Sequence, residues 1–186
     1  GHILINGVEI DKINRESYYK KLAVVTQQPL AFNDTIRKNI DPSETLDDNQ
    51  IYEVLKQAEL YDEIMQFPLK LNTKIGENGQ NISGGQKQRL ALAIALMYDA
   101  KVIIMDEPTS GLDGGNMRRV SKIVQELAKQ GHTILIITHD AEFAYSCCQR
   151  VIRLQTGKVT DDIHIENFSD LCELMDMNVK NNILGL

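Results

Sequence analysis

Two uninterrupted apolar runs restrict this chain to a small set of folds. One covers residues 102–105 and the other residues 133–138, and an amphipathic stretch from Met117 to Lys129 lies between them. A strand without polar alternation is typical of a parallel sheet that is covered on both faces. Parallel strands need a long crossover connection, and a helix of this length provides one. The pattern therefore predicts an α/β fold around a buried parallel sheet.

Turn signals place further strands around this sheet. Asn6-Gly7 suits a tight primed turn, and Gly157 lies between two short apolar runs, so each position predicts an edge β-hairpin. Residues 22–26 form a short β-branched run, which predicts another buried strand. Pro29 enforces a loop shortly after that strand.

The middle of the chain is helical in pattern. Apolar spacing predicts one helix from Asp47 to Met65 and a second from Ser83 to about Tyr98. A helical lobe inserted into the sheet domain accounts for both. We expect a core of residues 1–32 and 99–162, a lobe of residues 33–98 and a C-terminal tail of residues 163–186.

Charge, cysteine content and hydropathy exclude several classes of protein. The net charge of −6, with scattered acidic residues, does not favour binding to nucleic acid. Three cysteines, two of them adjacent, form no disulfide framework. No apolar run reaches the roughly 18 residues of a membrane span, and no signal peptide is visible. We therefore expect any role at a membrane to require a partner.

The start of the second predicted helix is unusual. Ser83 and Gln86 have the spacing of a capping box, which by itself indicates only a well-capped helix. Gly84 and Gly85, however, occupy the first turn, where glycine costs about 1 kcal/mol each relative to alanine. Exposed N–H groups at a helix start bind anions, and glycines leave room for a ligand to approach. The turn is a candidate phosphate contact.

Polar residues also follow the predicted strands. Asp106 and Glu107 come directly after the first apolar run, at the edge where open α/β sheets bind ligands. Asp106 could hold Mg²⁺ through water, and Glu107 could act as a general base on an attacking water. The alternative is that the two acids only cap a helix after Pro108. His139 could orient water or contact a phosphate, and Gln27 could ligate Mg²⁺, although either residue could be purely structural.

These motifs, in this order, resemble the nucleotide-binding domain of ATP-binding cassette (ABC) proteins over about residues 1–160. Gln27 is similar to the Q-loop and His139 to the switch histidine of that family. Ser83-Gly84-Gly85-Gln86 resembles the signature motif of the family. Residues 102–107 resemble the Walker B strand with its glutamate, and Ser110-Gly111-Leu112-Asp113 resembles the D-loop.

The resemblance implies a RecA-like P-loop NTPase-type fold, with a mostly parallel sheet, an inserted helical lobe and edge hairpins. It also implies ATP and Mg²⁺ as cofactors and a head-to-tail dimer of two nucleotide-binding domains. Site roles are implied as follows: Glu107 and His139 catalytic; Asp106 and Gln27 metal-binding; and Gln27, Ser83, Gly84, Gly85, Gln86 and Asp113 nucleotide-binding. In the family, the signature motif contacts ATP held by the partner, and the D-loop aspartate reaches across the interface. A transmembrane partner and a cytoplasmic position on the inner face of the membrane are implied too.

The phosphate loop of the family does not occur in this sequence. No G-x-x-x-x-G-K-[ST] phosphate loop occurs, and Gly157-Lys158 is a poor imitation in a hairpin. We expect an N-terminal truncation, little ATP binding or hydrolysis by the isolated chain, and a sheet with a gap that leaves marginal stability or is compensated by oligomerisation. A natural half-site protein that lends its signature helix to a complete partner is the alternative account.

Class signals within the family conflict. Residues 35–40 and 73–79 resemble exporters, whereas Thr138-His139-Asp140 is more like importers or energy-coupling-factor subunits. The leading hypothesis is the ATPase domain of a membrane transporter. A soluble ABC ATPase of DNA repair or translation and a non-catalytic interaction module are the alternatives. The sequence indicates neither the direction of transport nor the substrate.

Overall fold

Helices and strands alternate along residues 1–175, the part of the chain that this computed structural model describes. The strands are β1 (Leu4–Ile5), β2 (Val8–Glu9), β3 (Leu22–Val25), β4 (Val102–Asp106), β5 (Thr133–Ile137), β6 (Arg150–Gln155) and β7 (Lys158–His164). The α-helices are α1 (Arg15–Tyr19), α2 (Ile36–Ile40), α3 (Asp48–Gln57), α4 (Tyr61–Met65), α5 (Gly84–Met97), α6 (Gly114–Lys129), α7 (Ala141–Cys147) and α8 (Phe168–Leu174). Short 3-10 helices lie at Ile10–Lys12, Lys70–Asn72 and Glu77–Gly79.

A three-stranded parallel sheet, in the order β3-β4-β5, organises the fold. Its register places Val25, Met105 and Ile136 side by side, and Asp106 opposite Ile137. Helix α6 forms the connection from β4 to β5, as the sequence predicts. The α/β class with a parallel sheet and antiparallel hairpins is therefore confirmed. The carboxyl ends of all three strands meet at one edge.

Only one face of this sheet is well covered among the described residues. Its side chains pack with α5, α6 and α7 in a single buried cluster, which contains Val25, Leu92, Ala100, Ile103, Met105, Val120, Ile123, Val124, Leu127 and Phe143. On the other face, Val24, Leu135 and Ile137 are 57%, 53% and 58% exposed. The expectation of two buried faces is thus wrong for residues 1–175. Residue types could not indicate this, because apolar residues occupy both faces of β5.

A second core lies among α2, α3, α4 and α5. Its fully buried members are Ile36, Ile40, Ile51, Leu55, Ala58, Ile75 and Ala93. Helix α5 contributes to both cores, with Leu90 in this one and Leu92 in the core beneath the sheet. The helix that begins with the Ser-Gly-Gly turn therefore joins the two packed regions.

The single helix predicted from Asp47 to Met65 is wrong, because the structure divides it into α3 and α4. Glu59 adopts a positive φ of 48°. The N–H of Leu60 then donates to the carbonyl of Leu55 at 2.8 Å, which satisfies a terminal carbonyl of α3. Leu60 is buried, so the break keeps the apolar face against the core. The apolar spacing continues across the turn and conceals it.

Both predicted hairpins are present. β1 and β2 pair through Asn6 and Gly7, whose φ values of 50° and 78° suit a primed turn. β6 and β7 pair through Thr156 and Gly157 in the same way. In the predicted tail, α8 packs on α7, and residues 176–186 lie outside the described part. No helix within residues 1–175 combines the length and apolar character needed to cross a membrane.

Candidate functional site

Glu107 and His139 contact each other at the carboxyl ends of β4 and β5. The Glu107 N–H donates to the carbonyl of Ile137 at 2.8 Å, which extends the ladder between these strands by one residue. His139 Nδ1 donates to Glu107 Oε1 at 2.8 Å, and Thr138 Oγ1 donates to Oε2 at 3.4 Å. Glu107 also has a positive φ of 46°, an uncommon conformation for a residue with a side chain. Such outliers concentrate at functional sites.

Neighbouring carboxylates change the electrostatics of His139. The hydrogen bond to Glu107, the charge of Glu107 and that of Asp140 raise the pKa of His139 above its ordinary value. The His139 side chain is 86% exposed and that of Glu107 is 20% exposed. The imidazole therefore faces solvent while the carboxylate is fixed behind it. A water beside this pair could be oriented by His139 and could give its proton to Glu107.

Gln27 lies at the same edge, two residues beyond β3. Its Nε2 donates to Ser110 Oγ at 3.2 Å, and its backbone carbonyl accepts a bond from Gln88 Nε2 at 3.4 Å. Asp106, the last residue of β4, is exposed, and its carboxylate makes no hydrogen bond or ion pair within residues 1–175. A free carboxylate and a nearby amide oxygen are hard oxygen ligands, which fit Mg²⁺. We refer to Gln27, Asp106, Glu107, Ser110 and His139 as the strand-tip region.

The Ser-Gly-Gly turn begins α5 with a complete capping box. Ser83 Oγ accepts a bond from the Gln86 N–H at 3.2 Å, and Gln86 Oε1 accepts one from the Ser83 N–H at 2.8 Å. Gly84 is open, since a Cβ there would meet its nearest neighbour at 3.9 Å. Gly85 is not, because a Cβ would lie 2.6 Å from Asn116 Oδ1. The turn therefore has open space at Gly84, whereas the expected space at Gly85 is filled by the Asn116 side chain.

Asp113 caps α6 beside this turn. Its Oδ1 accepts from the Asn116 N–H at 2.8 Å, and its Oδ2 accepts from Asn116 Nδ2 at 2.9 Å. These bonds lower the pKa of Asp113, because they stabilise the charged form. Since Asn116 also packs on Gly85, the Asp113 cap and the Ser-Gly-Gly turn form one connected structure.

Sequence reasoning missed three residues that hold this structure together. Arg89, on α5, is 1% exposed and donates to Asn116 Oδ1 and to Glu63 Oε1, both at 2.7 Å. Glu63, on α4, also accepts a bond from Gln86 Nε2 at 2.9 Å. The sequence carried little signal for them, because Arg89 follows three polar residues and comes directly before the apolar run of α5. We refer to residues 83–86, Glu63, Arg89, Asp113 and Asn116 as the helix-start region.

The structure thus places the predicted site residues in two groups. Gln27, Asp106, Glu107 and His139 share the strand-tip region, whereas residues 83–86 and Asp113 share the helix-start region. Within residues 1–175, no hydrogen bond joins Ser83 or Gln86 to Glu107 or His139. A parallel sheet with acidic, amide and imidazole groups at its strand ends, and with a separately capped glycine-rich helix start, defines the class of α/β nucleotide-binding domains.

Comparison with known proteins gives the family. Residues 1–110 match the family model described as ABC transporter, so this chain belongs to the ABC transporter family. It is similar to the ATP-dependent lipid A-core flippase of Saccharophagus degradans, with 41% identity over 140 residues, which are 75% of this chain and 24% of that protein. The flippase of the same name from Paraburkholderia xenovorans is 34% identical over 161 residues, which are 87% of this chain and 27% of that protein.

A solved structure agrees with these sequence matches. The structure of a bacterial Atm1-family ABC exporter with ATP bound is similar with a TM-score of 0.80 and 28% identity. The match covers 93% of this chain and 30% of that chain. The present chain therefore spans only about a quarter of the length of the flippases that it matches.

Proposed function

We propose that this chain is part of the ATP-hydrolysing domain of an exporter-type ABC transporter. The observation that carries the proposal is the contact between Glu107 and His139 at the ends of adjacent parallel strands. Family membership supports ATP as the nucleotide. The flippase and exporter relatives support export over import. Residues 138–140 are more like importers in sequence. In the structure they form a local turn, in which the Asp140 N–H donates to Thr138 Oγ1.

The strand-tip region would carry the chemistry. Glu107 takes the proton of an attacking water, and His139 orients that water and contacts the terminal phosphate. Asp106 and Gln27 would hold Mg²⁺, which neutralises charge on the phosphates when bound. The exposed, unpartnered carboxylate of Asp106 and the exposed amide of Gln27 support this assignment.

The helix-start region would act on a nucleotide held by a second domain. Ser83, Gly84, Gly85 and Gln86 present the N-terminus of α5 to its phosphates. Asp113 lies beside them and would reach the same interface. The separation of this region from Glu107 and His139 supports a head-to-tail dimer, because one copy then contributes to two different sites. Either two identical copies or two different domains satisfy this arrangement.

A transmembrane domain is the second proposed partner, and it would hold the chain at the cytoplasmic face of the membrane. The two cores support a catalytic core of residues 1–32 and 99–162 and a signature lobe of residues 33–98, although α5 of the lobe also contributes Leu92 to the core beneath the sheet. We expect the 186-residue chain alone to hydrolyse little ATP, because a phosphate loop normally supplies most of the nucleotide contacts.

Replacement of the proposed base tests this function. In the natural protein that carries this chain, we expect Glu107→Gln to lower the rate of ATP turnover by about 10²- to 10⁴-fold, the usual worth of a general base. Glu142→Gln is the matched control, since Glu142 is an exposed carboxylate on the first turn of α7. Turnover in Glu107→Gln that stays equal to the control would contradict the proposal.

A further inference from the structure

The carboxyl group of Glu63, on α4, contacts residues of both α5 and α6. Glu63 Oε2 accepts a bond from Gln86 Nε2 at 2.9 Å, and Oε1 accepts one from Arg89 at 2.7 Å. Arg119, on α6, also donates to Oε1. The Glu63 side chain is only 27% exposed. Both of its oxygens are therefore occupied, and they join α4, α5 and α6.

Arg89 carries this connection onward to the D-loop. Its guanidinium donates through one nitrogen to Glu63 and through another to Asn116 Oδ1 at 2.7 Å. Asn116 in turn donates to both carboxylate oxygens of Asp113. Burial lowers the pKa of Arg89, and the charge of Glu63 opposes that shift. Glu63 is thus the carboxylate that compensates a buried cation and fixes its direction.

The packing leaves this chain of contacts little freedom. A Cβ on Gly85 would lie 2.6 Å from Asn116 Oδ1, so the α5 backbone rests directly on the residue that Arg89 holds. Gln86 is fixed twice, by the Ser83 N–H through Oε1 and by Glu63 through Nε2. A displacement of Glu63 would therefore be passed to Gln86 directly and to Asp113 through Arg89 and Asn116.

We propose that Glu63 is a positioning residue. It fixes the Ser-Gly-Gly turn and Asp113 relative to each other, so that both can contact a nucleotide held by a partner domain. This inference rests on the proposed function, because it assigns a purpose to contacts with a nucleotide held by a second domain. Glu63 itself contacts no reacting group. It acts through Gln86 on the turn, and through Arg89 and Asn116 on Asp113.

The test compares two substitutions at acids that both contact α6. Glu63→Gln preserves the shape of the side chain but removes its charge, and an amide can accept bonds at only one of its two polar atoms. Glu59→Gln is the matched control, because Glu59 accepts a bond from Lys122 on α6 and makes no hydrogen bond to Gln86 or Arg89, on which its charge acts less than that of Glu63. Steady-state ATP turnover is measured for both variants in the natural protein that carries this chain, together with thermal unfolding.

We expect Glu63→Gln to lower kcat by about tenfold to hundredfold, since a small misplacement of positioning groups has effects of this size. KM should change by less than about threefold, because Glu63 itself makes no contact with the nucleotide in this proposal. Glu59→Gln should keep kcat within about twofold, because the bond from Lys122 to Glu59 lies outside the chain of contacts from Glu63 to Asp113. A merely structural role would instead lower the unfolding temperature of Glu63→Gln and leave kcat of the folded protein unchanged.

An unchanged kcat in folded Glu63→Gln would overturn the inference about Glu63. The proposed function would not be affected by that result, because Glu107→Gln tests it independently. If Glu63→Gln does not fold, Asn116→Ala breaks the same chain of contacts at its far end. Lower kcat in that variant, with KM kept, supports the inference, and an unchanged kcat overturns it. Unaltered turnover in Glu107→Gln would reject the proposed function itself, whatever Glu63 does.

Discussion

The strand-tip region and the helix-start region are built on opposite principles. In the first, Asp106 has no partner within residues 1–175, and His139 makes a single contact while 86% exposed. In the second, Gln86, Arg89, Asp113 and Asn116 are joined to one another or to Glu63 by hydrogen bonds. The strand-tip side chains thus have few contacts within the described residues, whereas those of the helix-start region are held by several hydrogen bonds each. Substitutions should therefore affect stability mainly in the helix-start region.

The largest expected effect on stability is at Arg89. We expect Arg89→Ala to reduce the free energy of unfolding by about 3–5 kcal/mol, the usual cost of breaking a buried ion pair. Arg118→Ala is the control, because Arg118 is an exposed arginine on α6. Chemical denaturation of the chain measures both. A cost for Arg89→Ala no larger than the control would remove the distinction between the two regions.

A pair of glycine substitutions sharpens the same contrast within one turn of helix. Gly85→Ala should cost about 1–3 kcal/mol, because the added methyl group overpacks Asn116. Gly84→Ala should instead stabilise the chain by up to about 0.5 kcal/mol, since it has space and alanine favours a helix. Denaturation of the two variants measures the difference. Equal effects would contradict the packing described for Gly85.

A smaller difference is expected between two serines. Ser83→Ala removes half of the capping box of α5 and should cost about 1 kcal/mol. Ser110→Ala, in the strand-tip region, removes one exposed contact with Gln27 and should cost less than about 0.5 kcal/mol. Thermal unfolding of both variants makes the comparison. If Ser110→Ala proved the more damaging, the strand-tip region would be more rigid than its contacts indicate.

The smallest effect is a shift in titration at His139. Its raised pKa, caused by Glu107, should appear in an NMR titration as a midpoint above about 6.5, the ordinary value. In Glu107→Gln the midpoint should move back down. Because the folded pKa is raised, the contact stabilises the fold at pH values below the unfolded pKa. That contribution is lost as pH rises through the folded pKa. Identical midpoints in both proteins would show that the contact is absent in solution.

The sequence was sufficient for the elements whose signals are local. The α5 capping box, the two hairpin turns and the polar ends of β4 and β5 were all predicted from neighbouring residues. The break at Glu59 was missed because the apolar spacing continues through it. The exposure of Leu135 and Ile137 was missed because residue type does not reveal which face of a strand is covered.

The contacts of the candidate site also differ in whether the sequence could predict them. Strand order places Glu107 beside His139 once a parallel sheet is assumed, so their contact could be anticipated. The link from Glu63 through Arg89 to Asn116 joins residues 26 and 27 positions apart and depends on how three helices pack. Gly85 illustrates the limit well, since its sequence suggests a ligand contact and the structure shows a neighbouring side chain.

The claim that two copies share each site is tested most directly by distributing two lesions between the copies of a dimer. The lesions are Glu107→Gln, in the strand-tip region, and Ser83→Arg, in the helix-start region, and dimers carrying two different tags are purified. If the lesions are in different copies, both fall in one shared site and leave the other intact, so ATP turnover should persist. If one copy carries both lesions, each site is damaged and turnover should be abolished. The reverse pattern would show that each copy completes its own site, and it would contradict the account.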